Sequence, residues 1–178
     1  MIRTERLTLG QIAEEDLPFL VSLDRQASTI EFERDAPKDE EEIRRAYRAV
    51  IGRGPEGRGM HCVIRVANGG VPVGRARVEP MNDAIGEYEA GWACAREHWG
   101  NGYMTEAMEA MLRLAFGKLG AHRLVAFCDS RNLRSENLMR RLGMTREGEI
   151  RETKKLGGRW RNELVYSILD REFGRSHE

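Results

Sequence analysis

Glu97-His98-Trp99-Gly100-Asn101-Gly102-Tyr103-Met104-Thr105-Glu106 decides how this chain is read. Its two glycines stand just ahead of the clearest helical stripe in the sequence: Met104, Ala107, Met108, Met111, Leu112, Ala115 and Leu119, with Thr105, Glu106, Glu109, Arg113 and Lys118 on the other side. The start of a helix leaves backbone N–H groups unpaired and carries about half a positive charge, and glycines let the backbone close tightly around a phosphate oxygen. A strand, a glycine turn and a helix therefore make a cradle for a diphosphate, although the same pattern also serves simple chain reversal. Two other cradles are excluded by inspection. The pattern G-x-x-x-x-G-K-S/T does not occur, and Gly100-x-Gly102 is not followed by the third glycine of a dinucleotide fingerprint.

Outward from this stretch, Ile85 to Ala95 reads as the strand before the loop. Arg123 to Cys128, a short apolar run close behind the helix, reads as a buried strand parallel to it. Leu133 to Leu142 is a second helix, ended by Gly143. A weakly patterned strand (Met144 to Lys155), a Leu156-Gly157-Gly158 turn and a strand at Leu164 to Leu169 follow. Toward the N-terminus, His61 to Ala67 and Val71 to Glu79 form a hairpin about Asn68-Gly69-Gly70. Ile43, Ala46, Tyr47, Val50 and Ile51 mark an amphipathic helix between Pro37 and Gly52, Glu14 to Leu23 a shorter one, and Arg6 to Ile12 a half-buried strand. Gly52 to Gly59, with four glycines and a proline, reads as a flexible loop. The order is β-α-α-β-β-β-α-β-α-β-β, with no repeat and no linker, so the 178 residues form one domain.

Composition narrows the function classes. The 29 Lys and Arg balance 29 Asp and Glu, which leaves no strong field of either sign and argues against nucleic acid or an anionic membrane as partner. No apolar run approaches the ~20 residues that cross a bilayer, and the opening residues lack the apolar stretch of a secretory signal, so a cytoplasmic protein is expected. Cys62, Cys94 and Cys128 are odd in number and sit among apolar neighbours, as reduced core thiols do; no CxxC or HxxxH suggests a metal site.

Trp99-Gly100-Asn101-Gly102-Tyr103-Met104-Thr105-Glu106-Ala107 resembles the W-G-x-G-Y-x-T-E-A form of the acetyl-CoA pyrophosphate loop in the GNAT superfamily of N-acetyltransferases, in its ribosomal-protein N-terminal (alanine/serine) acetyltransferase branch. Glu89-Ala90-Gly91-Trp92 resembles the E-x-G-Y/W of the preceding strand. Asn132-Leu133-Arg134-Ser135, Leu142-Gly143-Met144 and Glu147-Gly148 resemble N-x-x-S, L-G-F/M and E-G downstream, and Thr4 to Leu9 and Arg159-Trp160-Arg161 match the branch at the two ends. The resemblance spans nearly the whole chain. It implies an α+β GNAT fold over residues 1–178: one mixed sheet of six to seven strands, flanked by about four helices, with its central parallel strands splayed.

The resemblance also implies roles. Trp99, Gly100, Asn101, Gly102, Tyr103 and Met104 would grip the diphosphate of acetyl-CoA, and Trp92, Ala93 and Cys94 would offer backbone groups to its pantetheine arm as though it were an added strand. An N–H of that strand would stabilise the charge that develops on the thioester oxygen. Glu89 is the first candidate for the base that frees the attacking amine, reached through water; Glu87 lies two residues earlier on the same strand face, and the competing reading is that one or both are solvated or paired with a nearby arginine. Many family members carry a tyrosine where this chain has Met139, so Ser135 is the available group for the departing thiolate, and Asn132 would bind the pantetheine; each has helix capping as its alternative role. His98 reads as a loop residue and the cysteines as inert, against an acetyl-cysteine route. The basic Arg151 to Arg161 stretch reads as a solvated hairpin, and Asn162 replaces an Asp common in the family. The acceptor is a primary amine, on a peptide N-terminus or a small molecule, and the protein a monomer or homodimer. The rivals are a non-catalytic acyl-CoA-binding module and a transferase using succinyl-CoA or another acyl-CoA.

Overall fold

Leu7 and Leu9 alternate with half-buried Thr8 and Gly10 along β2 (Leu7–Gln11), and this period of two fixes the strand in a sheet whose faces are both covered. The computed structural model describes residues 1–32, 39–53 and 59–174. Its sheet has eight strands in the order β1-β2-β3-β4-β5-β6-β8-β7. They are β1 (Ile2–Arg3), β2, β3 (Met60–Val66), β4 (Pro72–Asn82), β5 (Glu87–Cys94), β6 (Arg123–Asp129), β7 (Thr145–Leu156) and β8 (Arg159–Leu169). Every adjacent pair is antiparallel except β5 and β6, which run parallel as the sequence leads one to expect.

Among the described residues six α-helices accompany the sheet: α1 (Leu17–Asp24), α2 (Ala27–Ile30), α3 (Glu40–Gly52), α4 (Tyr103–Gly117), α5 (Leu133–Arg141) and α6 (Asp170–Phe173). The apolar stripe of α4 (Ala107, Met108, Met111, Leu112 and Ala115) is buried in the larger core with Cys62, Ile64, Val78, Leu124 and Tyr166. Truncating a fully buried Met of this set to Ala would cost ~2–5 kcal/mol. Val63, between Cys62 and Ile64, packs instead with Leu17, Leu20, Ile43 and Tyr47, so α1 and α3 cover the opposite face. Asp39 starts α3 through a capping box, its carboxylate accepting from Glu42 N at 2.8 Å while Glu42 accepts from Asp39 N at 2.9 Å. The acidic run Asp39 to Glu42 thus serves a helix start.

The expected six to seven strands become eight because β1, two residues long, is too short to show a period. The helices beyond the expected four are α2 and α6, single turns of four residues. β7 reads weakly because its register slips at Arg146/Gly148 and Ile150/Lys154, and such bulges break the alternation. β8 begins five residues ahead of its apolar run, where Arg159, Trp160 and Arg161 pair with the far end of β7. Most of the Gly52 to Gly59 loop lies outside the described residues.

One feature of the topology positions the site. The β5–β6 register holds for Glu87↔Arg123, Tyr88↔Leu124 and Glu89↔Val125, and there it ends, although β5 continues to Cys94 and β6 to Asp129. β4 follows β5 to Cys94 and β8 follows β6 to Asp129, so each strand keeps its outer neighbour while the two part.

Candidate active site

The wedge between β5 and β6 opens into a cleft of about 1020 Å³ that runs to the start of α4. Trp92, Ala93, Cys94, Trp99, Gly100, Gly102, Tyr103, Met104, Asn132, Ser135 and Glu89 all line it, so the structure brings together most of the residues singled out in the sequence. Asn101 and Glu87 lie outside the lining. Asn101 turns its side chain back on its own loop, Nδ2 donating to His98 O at 3.1 Å and Trp99 O at 3.3 Å. Glu87 sits where the two strands still pair and accepts from Arg123 Nε at 2.8 Å.

The glycines of the loop both adopt the left-handed conformation, φ +80° at Gly100 and +76° at Gly102. That conformation costs other residues ~1–2 kcal/mol. Gly102 is the N-cap of α4 and, among the described residues, no side chain caps this helix, so the amides of its first turn are unclaimed by those side chains. A methyl group at Gly100 would meet nothing within 4 Å, which leaves the loop open to a ligand. Three arginines missed in the sequence surround this start. Arg6 donates to Asn101 O at 3.0 Å, Arg134 lies 4.0 Å over the Trp99 ring, and Arg141 Nε donates to Thr105 Oγ1 at 3.3 Å. They come from β2's approach and from α5, and no local pattern links them to the glycine loop. Unpaired amides ringed by guanidinium groups suit a diphosphate.

Along the wedge, Ala95 N donates to Val73 O at 2.9 Å. Alternation in the antiparallel β4–β5 ladder then turns the amide and carbonyl of Ala93 toward Arg75, and those of Trp92 and Cys94 toward the gap. The Cys94 carbonyl accepts from Trp99 Nε1 at 3.0 Å, so Trp92 and the Cys94 amide are the backbone groups left to face an incoming extended arm.

Asn132 caps α5, its Oδ1 accepting from Ser135 N at 3.1 Å. The capping role is thus filled by Asn132, and the Ser135 hydroxyl has no partner among the described residues. Met139, fully buried in the core, takes no part in the cleft. Burial pushes the thiols up, Cys94 to about 11 and Cys128 to about 12, as inert thiols should be. No group of three or more His, Cys, Asp and Glu side chains that could hold a metal ion occurs among the described residues.

Glu89 faces the cleft and pairs with Arg77, Nη2 to Oε1 at 2.5 Å. Two further carboxylates, Asp129 and Glu163, line the same cleft and are nearly fully buried. They are register partners on β6 and β8. Asp129 Oδ1 accepts from Arg131 N at 3.0 Å, and Lys154, from the hairpin expected to be solvated, reaches back to lie 3.8 Å from Asp129 Oδ2. Ser28, Thr29 and Phe32 close the cleft on this side.

The acetyltransferase (GNAT) domain family matches residues 6–145. Among curated relatives, the uncharacterized N-acetyltransferase YnaD of Bacillus subtilis (strain 168) is 35% identical over 48% of this chain and 51% of its own length. The chain therefore spans about half of that relative. The uncharacterized N-acetyltransferase p20 of Bacillus licheniformis is 26% identical over 96% of both chains. Among solved structures, the spermidine N-acetyltransferase from Vibrio cholerae, in complex with CoA and spermine, superposes with a TM-score of 0.85 at 20% identity, over 96% of this chain and 99% of that one. No helix among the described residues is long and apolar enough to cross a membrane.

Proposed function

The chain belongs to the GNAT family of acetyltransferases and is an N-acetyltransferase; on that premise we propose that it moves an acetyl group from acetyl-CoA directly to a primary amine inside the β5–β6 wedge. The observation that carries the reading is the ending of the parallel ladder at Glu89↔Val125, which opens a slot leading to the uncapped start of α4. In this reading the amides at Gly102 to Met104 and the nearby Arg6, Arg134 and Arg141 bind the diphosphate. The pantetheine arm lies along β5, against the groups of Trp92 and Cys94 that face the gap.

An amine attacks a thioester only as the neutral base. Glu89, on the cleft wall, takes the amine's proton through water while the nitrogen bonds to the acetyl carbon. A strand amide beside the carbonyl steadies the charge that develops on its oxygen, and the carbon–sulfur bond then breaks. The Ser135 hydroxyl, free of capping duty, hydrogen-bonds the departing thiolate. Much of the acceleration comes from holding amine and thioester in contact. The match of Trp99 to Ala107, Asn132 to Ser135 and Leu142 to Met144 supports the ribosomal-protein N-terminal acetyltransferase branch.

The test is thiol release from acetyl-CoA with spermidine and with a short peptide bearing a free N-terminal alanine. Release that depends on either amine supports the transferase. Tight CoA binding with no release in either case supports a non-catalytic binding module. Release from succinyl-CoA in preference to acetyl-CoA moves the acyl specificity and leaves the site intact.

A further inference from the structure

We infer that Arg77 is a positioning residue for Glu89: its guanidinium, anchored on Glu79 and laid across Gly91, fixes the Glu89 carboxylate at the cleft wall as a proton acceptor. The inference rests on the proposed role of Glu89 as base and adds the device that holds it there.

The register makes the arrangement. Glu79 of β4 and Glu89 of β5 are direct cross-strand partners, and like charges so placed repel. Arg77, two residues before Glu79 on the same face, bridges them, Nη1 to Glu79 Oε2 at 2.6 Å and Nη2 to Glu89 Oε1 at 2.5 Å. Its stem lies across its own cross-strand partner, Gly91: a methyl group there would stand 2.8 Å from Arg77 Nε and 3.2 Å from Cγ. The glycine is what lets the guanidinium lie flat. Behind Arg77, Glu79 is fixed from the other side, with His61 Nε2 at 2.7 Å and Arg53 Nη1 at 3.3 Å from its Oε1. Glu79 therefore has other partners of its own and serves as an anchor, and Glu89 takes the remaining arm of the fork while facing the cleft.

Among the described residues, the charged groups around Glu89 are these. From β4 come Arg77, Glu79 and, further along the cleft wall, Arg75; His61 of β3 and Arg53 after α3 act through Glu79. Across the cleft stand Asp129 of β6 and Glu163 of β8, and Glu87 on β5 itself is engaged with Arg123. Among the described residues, Arg77 is the cation in contact with the Glu89 carboxylate. Without it the carboxylate is no longer aimed.

The experiment measures kcat and KM with whichever of spermidine or the alanyl peptide is acetylated. In Arg77→Met kcat falls about 10- to 100-fold while KM for acetyl-CoA is little changed. Arg77→Lys restores only part of kcat, because an ammonium is a point charge without the fork. Gly91→Ala, which keeps the charge but displaces the stem, lowers kcat in the same sense and serves if Arg77→Met does not fold. Unchanged kcat in Glu89→Gln would overturn the base reading. Unchanged kcat in Arg77→Met, or a full further loss when Arg77→Met is added to Glu89→Gln, would overturn the positioning role and leave the base standing.

Discussion

Arg6 Nε donates to Glu106 Oε2 at 2.7 Å across 100 positions of sequence, and this pair ties the turn after β1 to the first turn of α4. The other oxygen of Glu106 accepts from Thr4 Oγ1 at 2.5 Å and from Arg6 N at 2.8 Å. Burial alone would raise the Glu106 carboxyl, but the Thr4 hydroxyl and the amide and guanidinium of Arg6 together hold it below its ordinary value. The guanidinium also reaches Asn101 O, so a single side chain braces both the glycine loop and the helix that follows it.

Loosening that brace should be felt at the cofactor before it is felt in the fold. Arg6→Ala is expected to weaken CoA binding by about threefold to tenfold, as a partly exposed pair allows, with a small fall in Tm. Calorimetry and thermal melts measure the two effects separately; a large fall in Tm with unchanged CoA affinity would assign Arg6 to the fold alone.

Asn132 and Ser135 separate by substitution. Asn132→Ala loses the cap on α5 and should cost ~1 kcal/mol of stability. Asn132→Asp keeps a capping oxygen but loses the amide donor, so stability should hold while CoA affinity falls if Asn132 contacts the pantetheine. Ser135→Ala should leave Tm unchanged and reduce kcat more than CoA affinity. Equal kcat in Ser135→Ala and the parent would remove the serine from thiolate stabilisation.

The thiol of Cys94, pushed up to about 11 mainly by burial and further by the Glu97 charge, is almost wholly protonated at pH 7. Cys94→Ala should therefore keep amine-dependent thiol release, and mass spectrometry of the protein after exposure to acetyl-CoA should show no covalent acetyl adduct. An adduct lost in Cys94→Ala would instead demand a two-step transfer.

The Glu79 carboxyl is lowered from 4.5 to about 2, first by the His61 hydrogen bond and further by Arg77, against the opposing effect of burial. A carboxyl lowered in the fold contributes stability that is present above its unfolded value and lost as pH falls through the folded one. Urea unfolding should therefore show Glu79→Gln less stable than the parent at pH 6, with the difference narrowing from about pH 4.5 toward 2. A difference that stays constant over that range would mean the carboxylate charge contributes nothing.

The parts legible in the sequence were those written in neighbouring residues. The α4 stripe and the two glycines before it lie within a few turns of chain, and their pattern sufficed to place the glycine turn and the start of the helix. β7 was faint because its bulges shift side chains between faces, and β1 was invisible because two residues carry no period. Glu87 and Glu89 were indistinguishable by alternation; what separates them is where the parallel ladder stops, a property of β5 and β6 together. The bridge from Glu79 through Arg77 to Glu89 depends on the β4–β5 register, and the pull of Arg6 on Glu106 spans 100 positions, so neither leaves a local trace.

Calorimetric titration of the protein with coenzyme A tests the central claim, that the wedge between β5 and β6 and the bare start of α4 receive the cofactor. One molecule per chain should bind with release of heat, and Gly102→Val, whose side chain would strain the left-handed turn and crowd Arg6, should abolish most of that heat. A flat titration of the unaltered protein would contradict the account.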